Sequence, residues 1–313
     1  MSTPNTAKPT DGPTYRQFLA PRYWPTWFAL GLLRLITSLP HPARLSVGRT
    51  LGRLGYVLAR SRRHVAQTNI RLCFPRLDEK QRQALVKKHF EALGIGLIEI
   101  GMSWWRPNQE LLDLVHFDGM EHLTAGLAEG HGAILLSAHF TPVDLSCRLL
   151  TIAVATPLFG LYQRHPNPLM EEIIQRNRLA QMAGMIPREG VRQMVRVLRD
   201  NCIVWYAPDQ AYDGKGSEVV PFFGEPAISN TATSRLAKVS GAPVFPYFLR
   251  RTESGRYIAT ILPALDNFPS DDVISDTQRY HALVEAQAQL APEQYLWVHK
   301  RFKDRPEEFG DPY

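Results

Sequence analysis

Short, wholly apolar runs alternating with helix-length amphipathic stretches constrain this chain more than any other feature. The runs are "GAILLSAH" (132–139), "PLFGLYQ" (157–163), "CIVWYAPD" (202–209), "APVFPYFLRR" (242–251) and "GRYIATILPAL" (255–265). Each has the length of a strand, and the absence of polar alternation in the first three means burial on both faces. Between them lie "TPVDLSCRLLTIAV", "NPLMEEIIQRNRLAQMAG", "GVRQMVRVLRDN" and "TATSRLAKVSG", with "DTQRYHALVEAQAQLAP" after the last run. These stretches carry apolar residues at helical spacing. Strands alternating with helices predict an α/β fold, a mixed, mainly parallel sheet with helices on both faces.

Upstream, "LDEKQRQALVKKHFEALGIGLIEIGMSWWRP" opens on Asp78 and Gln81, a capping-box pair. Leu85, Val86, Phe90, Leu93, Leu97 and Ile98 continue at helical spacing, and the helix should stop before Pro107. Residues 1–14 are polar and rich in Pro and Thr, a composition that predicts a disordered tail. Residues 15–43 hold an apolar run from Trp24 to Leu39 fronted by Trp24, Trp27 and Phe28. The aromatics resemble an interfacial belt, so an N-terminal membrane-anchor helix is expected, spanning or lying on the bilayer. No linker divides residues 44–313, which are expected to form one domain.

Net charge is +6 and the sequence pI about 9.3, so an anionic partner is expected, whether nucleic acid, acidic membrane or phosphorylated substrate. The three cysteines show neither a disulfide framework nor metal-ligand spacing, which points to a reducing compartment and no metal.

In open α/β sheets, ligands collect where strands end and helices begin. His139 ends the run "AILLSAH", and Asp144 follows in "TPVD". Two readings use this geometry. In the first, Thr141 caps a helix and Asp144 sits in its first turn, favoured by the helix dipole. In the second, the strand-to-helix bend folds Asp144 back onto the imidazole, and His139 serves as a general base.

The stretch "AHFTPVD" resembles the H-x4-D/E motif of acyltransferases that acylate lipids from a thioester donor. Further along, "YQRHPNPLMEEIIQRNR", "GMIPREGV", "IVWYAPDQAY", "VPFFGEPAISNTATSRLAKVSGAPVFPYFLRR" and "LAPEQYLWVHKRFKDRP" are similar to successive blocks of the lipid A biosynthesis lauroyl/myristoyl acyltransferase family. The likeness covers about residues 19–313. It implies a glycerol-3-phosphate acyltransferase-like domain over 44–313, held at the cytoplasmic face of the inner membrane. The implied reaction moves a C10–C14 acyl chain from acyl carrier protein to a hydroxyl of a lipid A precursor, with no cofactor. It implies His139 as base oriented by Asp144, although close relatives often carry Glu there. It also implies Arg178 and Arg188 as phosphate-binding residues, with Asp209 holding one of them. Where the family often has Tyr-Arg-Pro, this chain has Gln163, so Arg164 is given no role.

The segment "YLWVHKRFKDRP" mixes aromatic and basic residues. It is expected to be a solvated helix end or a site for headgroup phosphates or the acidic carrier protein. Without a nucleic-acid motif, it does not indicate nucleic-acid binding. A related acyltransferase acting on a glycerophospholipid or glycolipid is the alternative enzyme. A module that binds anionic lipid without turnover is the alternative from another class.

Overall fold

The computed structural model describes residues 15–313; the tail expected over 1–14 lies outside them. A 3-10 turn pair leads into α1 (Trp24–Thr37), α2 (His41–Leu58), α3 (Arg60–Cys73), α4 (Glu79–Trp105) and α5 (Asn108–Asp113). Then come β1 (Val115–Asp118), α6 (Met120–Ala128), β2 (Ala133–Leu136), α7 (Val143–Ala153), β3 (Leu158–Tyr162) and α8 (Pro168–Leu179). They are followed by β4 (Gly184–Pro187), α9 (Val191–Arg199), β5 (Ile203–Tyr206), β6 (Ser217–Phe222) and β7 (Glu225–Asn230). The chain closes with α10 (Ala232–Ser240), β8 (Val244–Arg251), β9 (Tyr257–Ile261) and α11 (Val273–Leu290).

Seven strands form one sheet in the order β1-β9-β8-β2-β5-β3-β4. The five strands from β8 to β4 are parallel, and β9 turns antiparallel against β8. The mixed, mainly parallel sheet expected from the alternation is present. Strands β2 and β5 show why their runs carry no polar residues. Ile134, Leu136, Val204 and Tyr206 enter one core cluster, while Ala133, Leu135, Ile203 and Trp205 enter the other. A strand covered on both faces has no solvent side to alternate toward. Two small edge strands, "VHFD" and "GMIP", and the separate β6–β7 hairpin are not announced by apolar runs.

The order of the sheet positions the site. After β2 the chain passes through α7 to β3, on one side of β5; after β5 it returns to β8, on the other side of β2. Connections that leave neighbouring strands in opposite directions open a crevice at their carboxyl ends.

Helix α4 is the long strut of the N-terminal half. Its capping box is formed as expected: Gln81 N–H donates to Asp78 Oδ1 at 2.8 Å and Asp78 N–H to Gln81 Oε1 at 2.9 Å. Helices α2 and α4 approach through glycines. A Cβ on Gly94 would stand 2.1 Å from the Gly48 carbonyl oxygen, and one on Gly52 would stand 2.1 Å from that of Phe90.

The expected N-terminal membrane anchor is not supported by the fold. Helix α1 has 14 residues, and no helix among the described residues is long and apolar enough to cross a membrane. A helix rises about 1.5 Å per residue, so α1 is about two-thirds of the hydrocarbon thickness. Arg34, stacked 5.3 Å over the Trp105 ring, ties α1 to α4, and Gly101 of α4 faces Leu33 and Thr37. Its other face leaves Trp24, Phe28, Leu32 and Leu35 exposed.

Gly94→Ala should destabilise the protein by about 1–3 kcal/mol, the scale of overpacking at a backbone contact. Gly31→Ala, on an exposed face of α1 with no atom near the added Cβ, should be neutral or stabilising by up to about 1 kcal/mol. Denaturant unfolding of both variants checks the contrast; equal midpoints would remove the glycine contact as the reason for the α2–α4 approach.

Candidate active site

Strands β2 and β5 run in parallel register, with Leu136 opposite Tyr206. Ser137 N–H continues the ladder to the Tyr206 carbonyl at 2.8 Å. His139 and Asp209 each lie three residues beyond that last pair, so register alone carries them to the same height in the crevice. Asp209 holds His139 through both carboxylate oxygens. Its Oδ1 accepts from the imidazole Nδ1 at 2.6 Å, and its Oδ2 from the His139 backbone N–H at 3.0 Å. Asp209 is buried and His139 keeps an open edge, its side chain 29% exposed.

This pairing sets the protonation of both groups. Burial pushes the His139 pKa down, yet the charge and hydrogen bond of Asp209 raise it above the ordinary value, with Arg188 opposing. Burial pushes the Asp209 carboxyl up, but His139 and the backbone N–H hold it below the usual carboxylate range. A carboxylate on Nδ1 requires the proton to sit there, which leaves the lone pair on Nε2. The pair therefore offers a basic nitrogen whose ring orientation is fixed.

The turn carrying His139 is held from behind by the end of the chain. The His139 carbonyl accepts from Leu296 N–H at 3.0 Å, Thr141 N–H donates to the Gln294 carbonyl at 2.8 Å, and Tyr280 Oη donates to the Ser137 carbonyl at 2.7 Å. Burial holds the His299 pKa down to about 4, so its ring is neutral and Nε2 accepts from Ala211 N–H at 3.3 Å. The segment 295–305 is thus not a solvated helix end: its aromatic residues and Arg301 are buried, while Lys300 is exposed and Lys303 half-buried. Trp297 and Phe302 are fully buried, and Arg301 is spent on the Ile228 carbonyl and Ser229 Oγ, at 2.8 and 2.7 Å.

Asp144 has a different partner from either expected one. Arg178 donates to its Oδ1 from Nε at 3.0 Å and Nη2 at 2.7 Å. It makes no hydrogen bond to His139, and α7 begins at Val143 without a side-chain cap. The two acids have exchanged the partners expected from the sequence: Asp209 holds the histidine and Asp144 holds an arginine. The reason is distance along the fold. Asp144 lies in the first turn of α7, facing the C-terminal end of α8, whereas β5 is hydrogen-bonded to β2. Arg178 therefore has a carboxylate partner already; burial lowers its pKa, but Asp144, joined by Cys147 and Glu171, raises it above the ordinary value. Arg188 remains without an acid; it lies 5.6 Å over the Tyr212 ring and donates to Gln163 Oε1 at 3.1 Å.

Two cavities meet at the imidazole. One, about 200 Å3, has an apolar lining that includes Val143, Leu161, Met182, Met185 and Trp205, with Asp144 and Arg178 at its edge. Cys147 also lines it, with its thiol pushed up to about 12 by burial, so it offers no thiolate. The other, about 190 Å3, is lined by Arg188, Tyr206, Gln210, Tyr212 and Asn230. No group of His, Cys, Asp and Glu able to hold a metal ion occurs among the described residues.

A chain with this site matches the family model described as bacterial lipid A biosynthesis acyltransferase over residues 13–304. The chain belongs to that family. It is 36% identical to the lipid A biosynthesis lauroyltransferase of Escherichia coli K12, over 92% of this chain and 94% of the relative. It is 34% identical to the palmitoleoyltransferase of the same organism, over 93% and 95%, and 26% identical to the myristoyltransferase, over 95% and 93%. This lipid A acyltransferase family member is therefore an acyltransferase of lipopolysaccharide biosynthesis.

Removing the Asp209 charge should lower the His139 pKa, because the group that raises it is gone and burial and Arg188 remain. NMR titration of the imidazole in wild type and Asp209→Asn checks this. An unchanged titration midpoint would mean that Asp209 does not control the ring.

Proposed function

We propose that this family member transfers an acyl chain from an acyl carrier protein thioester to a hydroxyl of a lipid A precursor, with His139 as the general base. The single observation that carries the reading is the His139–Asp209 pair, with a fixed tautomer, at the mouth of an apolar cavity. Nε2 takes the proton of the acceptor hydroxyl as its oxygen attacks the thioester carbonyl. Collapse of the tetrahedral adduct breaks the C–S bond, and the imidazolium returns the proton to the departing thiolate. Asp209 is a positioning residue that stabilises the transient imidazolium. Asp144, first expected in that role, acts one step away by holding Arg178 beside the reacting groups. No cofactor enters this scheme.

The apolar cavity is assigned to the acyl chain, whose length is set at C10–C14, lauroyl-like, by analogy with the lauroyltransferase relative. The cytoplasmic face of the inner membrane is the proposed location. Support comes from the outer face of α1, where Phe28 is 76% and Leu35 69% exposed, with Trp24 and Leu32 between and beside them. These residues recur at helical spacing along one stripe, the geometry of a helix lying in an interface. Attachment is then peripheral. A glycerophospholipid or glycolipid acceptor is the competing reading, and assay of purified enzyme with each acceptor class separates them.

His139→Ala should slow acyl transfer by roughly 10²–10⁴-fold while leaving the melting temperature nearly unchanged, as loss of a general base requires. The ascending limb of kcat/KM against pH should report the raised His139 pKa, with activity lost as pH falls through it, since the base must be neutral. Asp209→Asn should move that limb to lower pH and Asp144→Asn should leave it in place. The reverse result would return the positioning role to Asp144.

Phe28→Glu/Leu35→Glu should reduce partitioning onto anionic vesicles by at least about tenfold, because two exposed apolar side chains lose their burial in lipid. Sedimentation with vesicles measures it. Undiminished binding would move the attachment surface away from α1.

A further inference from the structure

A third cavity beside the site is larger than either of the two that touch the imidazole. It holds about 750 Å3 and is continuous with the site, since Arg188, Tyr206, Tyr212 and Asn230 line both it and the cavity at His139. Its wall brings together five cations, Arg188, Arg192, Lys215, Arg235 and Lys303, against two acids, Glu189 and Asp213. Lys303 is paired with Asp304 at 2.8 Å. Among the described residues, the other four cations have no carboxylate within ion-pair distance, unlike Arg178 on the far side of His139. Helices α9 and α10 both begin at this wall, at Val191 and Ala232; α9 has no side-chain cap, while Asn230 Oδ1 accepts from Ala232 N–H at 2.9 Å at the start of α10. Their positive ends therefore add to the same field. Leu161, Val191, Met194 and Leu236 supply apolar surface beneath the charges.

Five cations against two acids leave this concave wall net positive, and because Arg188, Arg192, Lys215 and Arg235 are exposed they are free to meet a bound polyanion. We infer that this cavity is the seat of the phosphate groups of the acceptor lipid's headgroup, with Arg192 and Arg235 as phosphate ligands, Lys215 beside them, and Arg188 at the boundary with His139. The inference rests on the proposed acyl transfer to a phosphorylated sugar lipid. Division of space supports the acceptor over the donor. The apolar cavity at Asp144 and Arg178 takes the acyl chain, so the thioester lies at His139 and the acceptor hydroxyl must arrive from the other side. The donor is an acidic carrier protein, and the donor KM measured below separates it from the acceptor as the occupant. Tyr206 and Tyr212, between the charges and the base, present hydroxyls suited to sugar hydroxyls, with Tyr206 Oη accepting from Asn230 Nδ2 at 3.2 Å.

The test compares a phosphorylated acceptor with the same lipid after phosphatase treatment, using wild type, Arg192→Ala/Arg235→Ala and Arg192→Lys/Arg235→Lys. Wild type should favour the phosphorylated acceptor in KM, and the alanine pair should raise that KM on the order of 10–100-fold, the scale of lost charge-assisted contacts. Its preference between the two acceptors should collapse to within about threefold, and the lysine pair should restore part of it, since charge without the bidentate fork remains. Donor KM should stay within about twofold, because the thioester lies on the other side of His139. A preserved preference in the alanine pair, or a rise confined to donor KM, would overturn the assignment. Calorimetric binding of inorganic pyrophosphate to wild type and the alanine pair tests the cavity without turnover, and equal affinities would also overturn it. If wild type transfers no acyl chain to any lipid A precursor, the proposed function fails separately, while the pyrophosphate comparison still decides the anion site.

Discussion

Everything at this site depends on the parallel pairing of β2 with β5. A parallel ladder fixes how far each strand has advanced when the sheet ends, and here both strands run on for the same three residues. The imidazole and its carboxylate are thus set against each other by backbone hydrogen bonds rather than by side-chain choice. The burial of both strands on both faces makes that register hard to shift, because a slip of one residue would exchange two core clusters. The second carboxylate contact, to the His139 backbone N–H, ties the turn itself to Asp209. Ring and backbone therefore move together.

The same sheet separates the surroundings by chemistry. On one side of His139 the lining is apolar, with its one cation neutralised by Asp144; on the other it is cationic and largely unneutralised. The proposed acyl transfer brings an oily chain and a phosphorylated sugar to one nitrogen, and this partition would let both approach without sharing a pocket. The charge of +6 noted from composition is therefore not spread evenly but gathers in part at the reaction centre.

Much of this was legible in the chain before folding. The runs "AILL" and "IVWY" announce strands because a doubly covered strand leaves no room for polar residues, and His139 stands out as the polar residue closing one of them. Asp209 closes the other at the same offset, a parallel in form that is visible once the two segments are aligned. What the chain does not display is which strands are neighbours. Asp144, five residues away, is the obvious partner by sequence, while Asp209, seventy residues away, becomes the partner only through the insertion of β5 between β2 and β3. Edge strands such as "VHFD", with two polar residues in four, carry too little pattern to be read. The basic tract 295–305 misleads for a related reason: Arg301 looks like a surface cation until β7 and α11 enclose it.

The hold that Gln294 and Leu296 exert on the histidine turn has a consequence in time. The ribosome delivers β2 and β5 long before residues 294–302, and those residues brace the turn through backbone contacts reaching across about half the chain. Until they leave the exit tunnel, the turn lacks its support from behind, and Trp297 and Phe302 are missing from the core they fill. The turn that presents His139 to Asp209 therefore gains its backing only when residues 294–302 have folded against it.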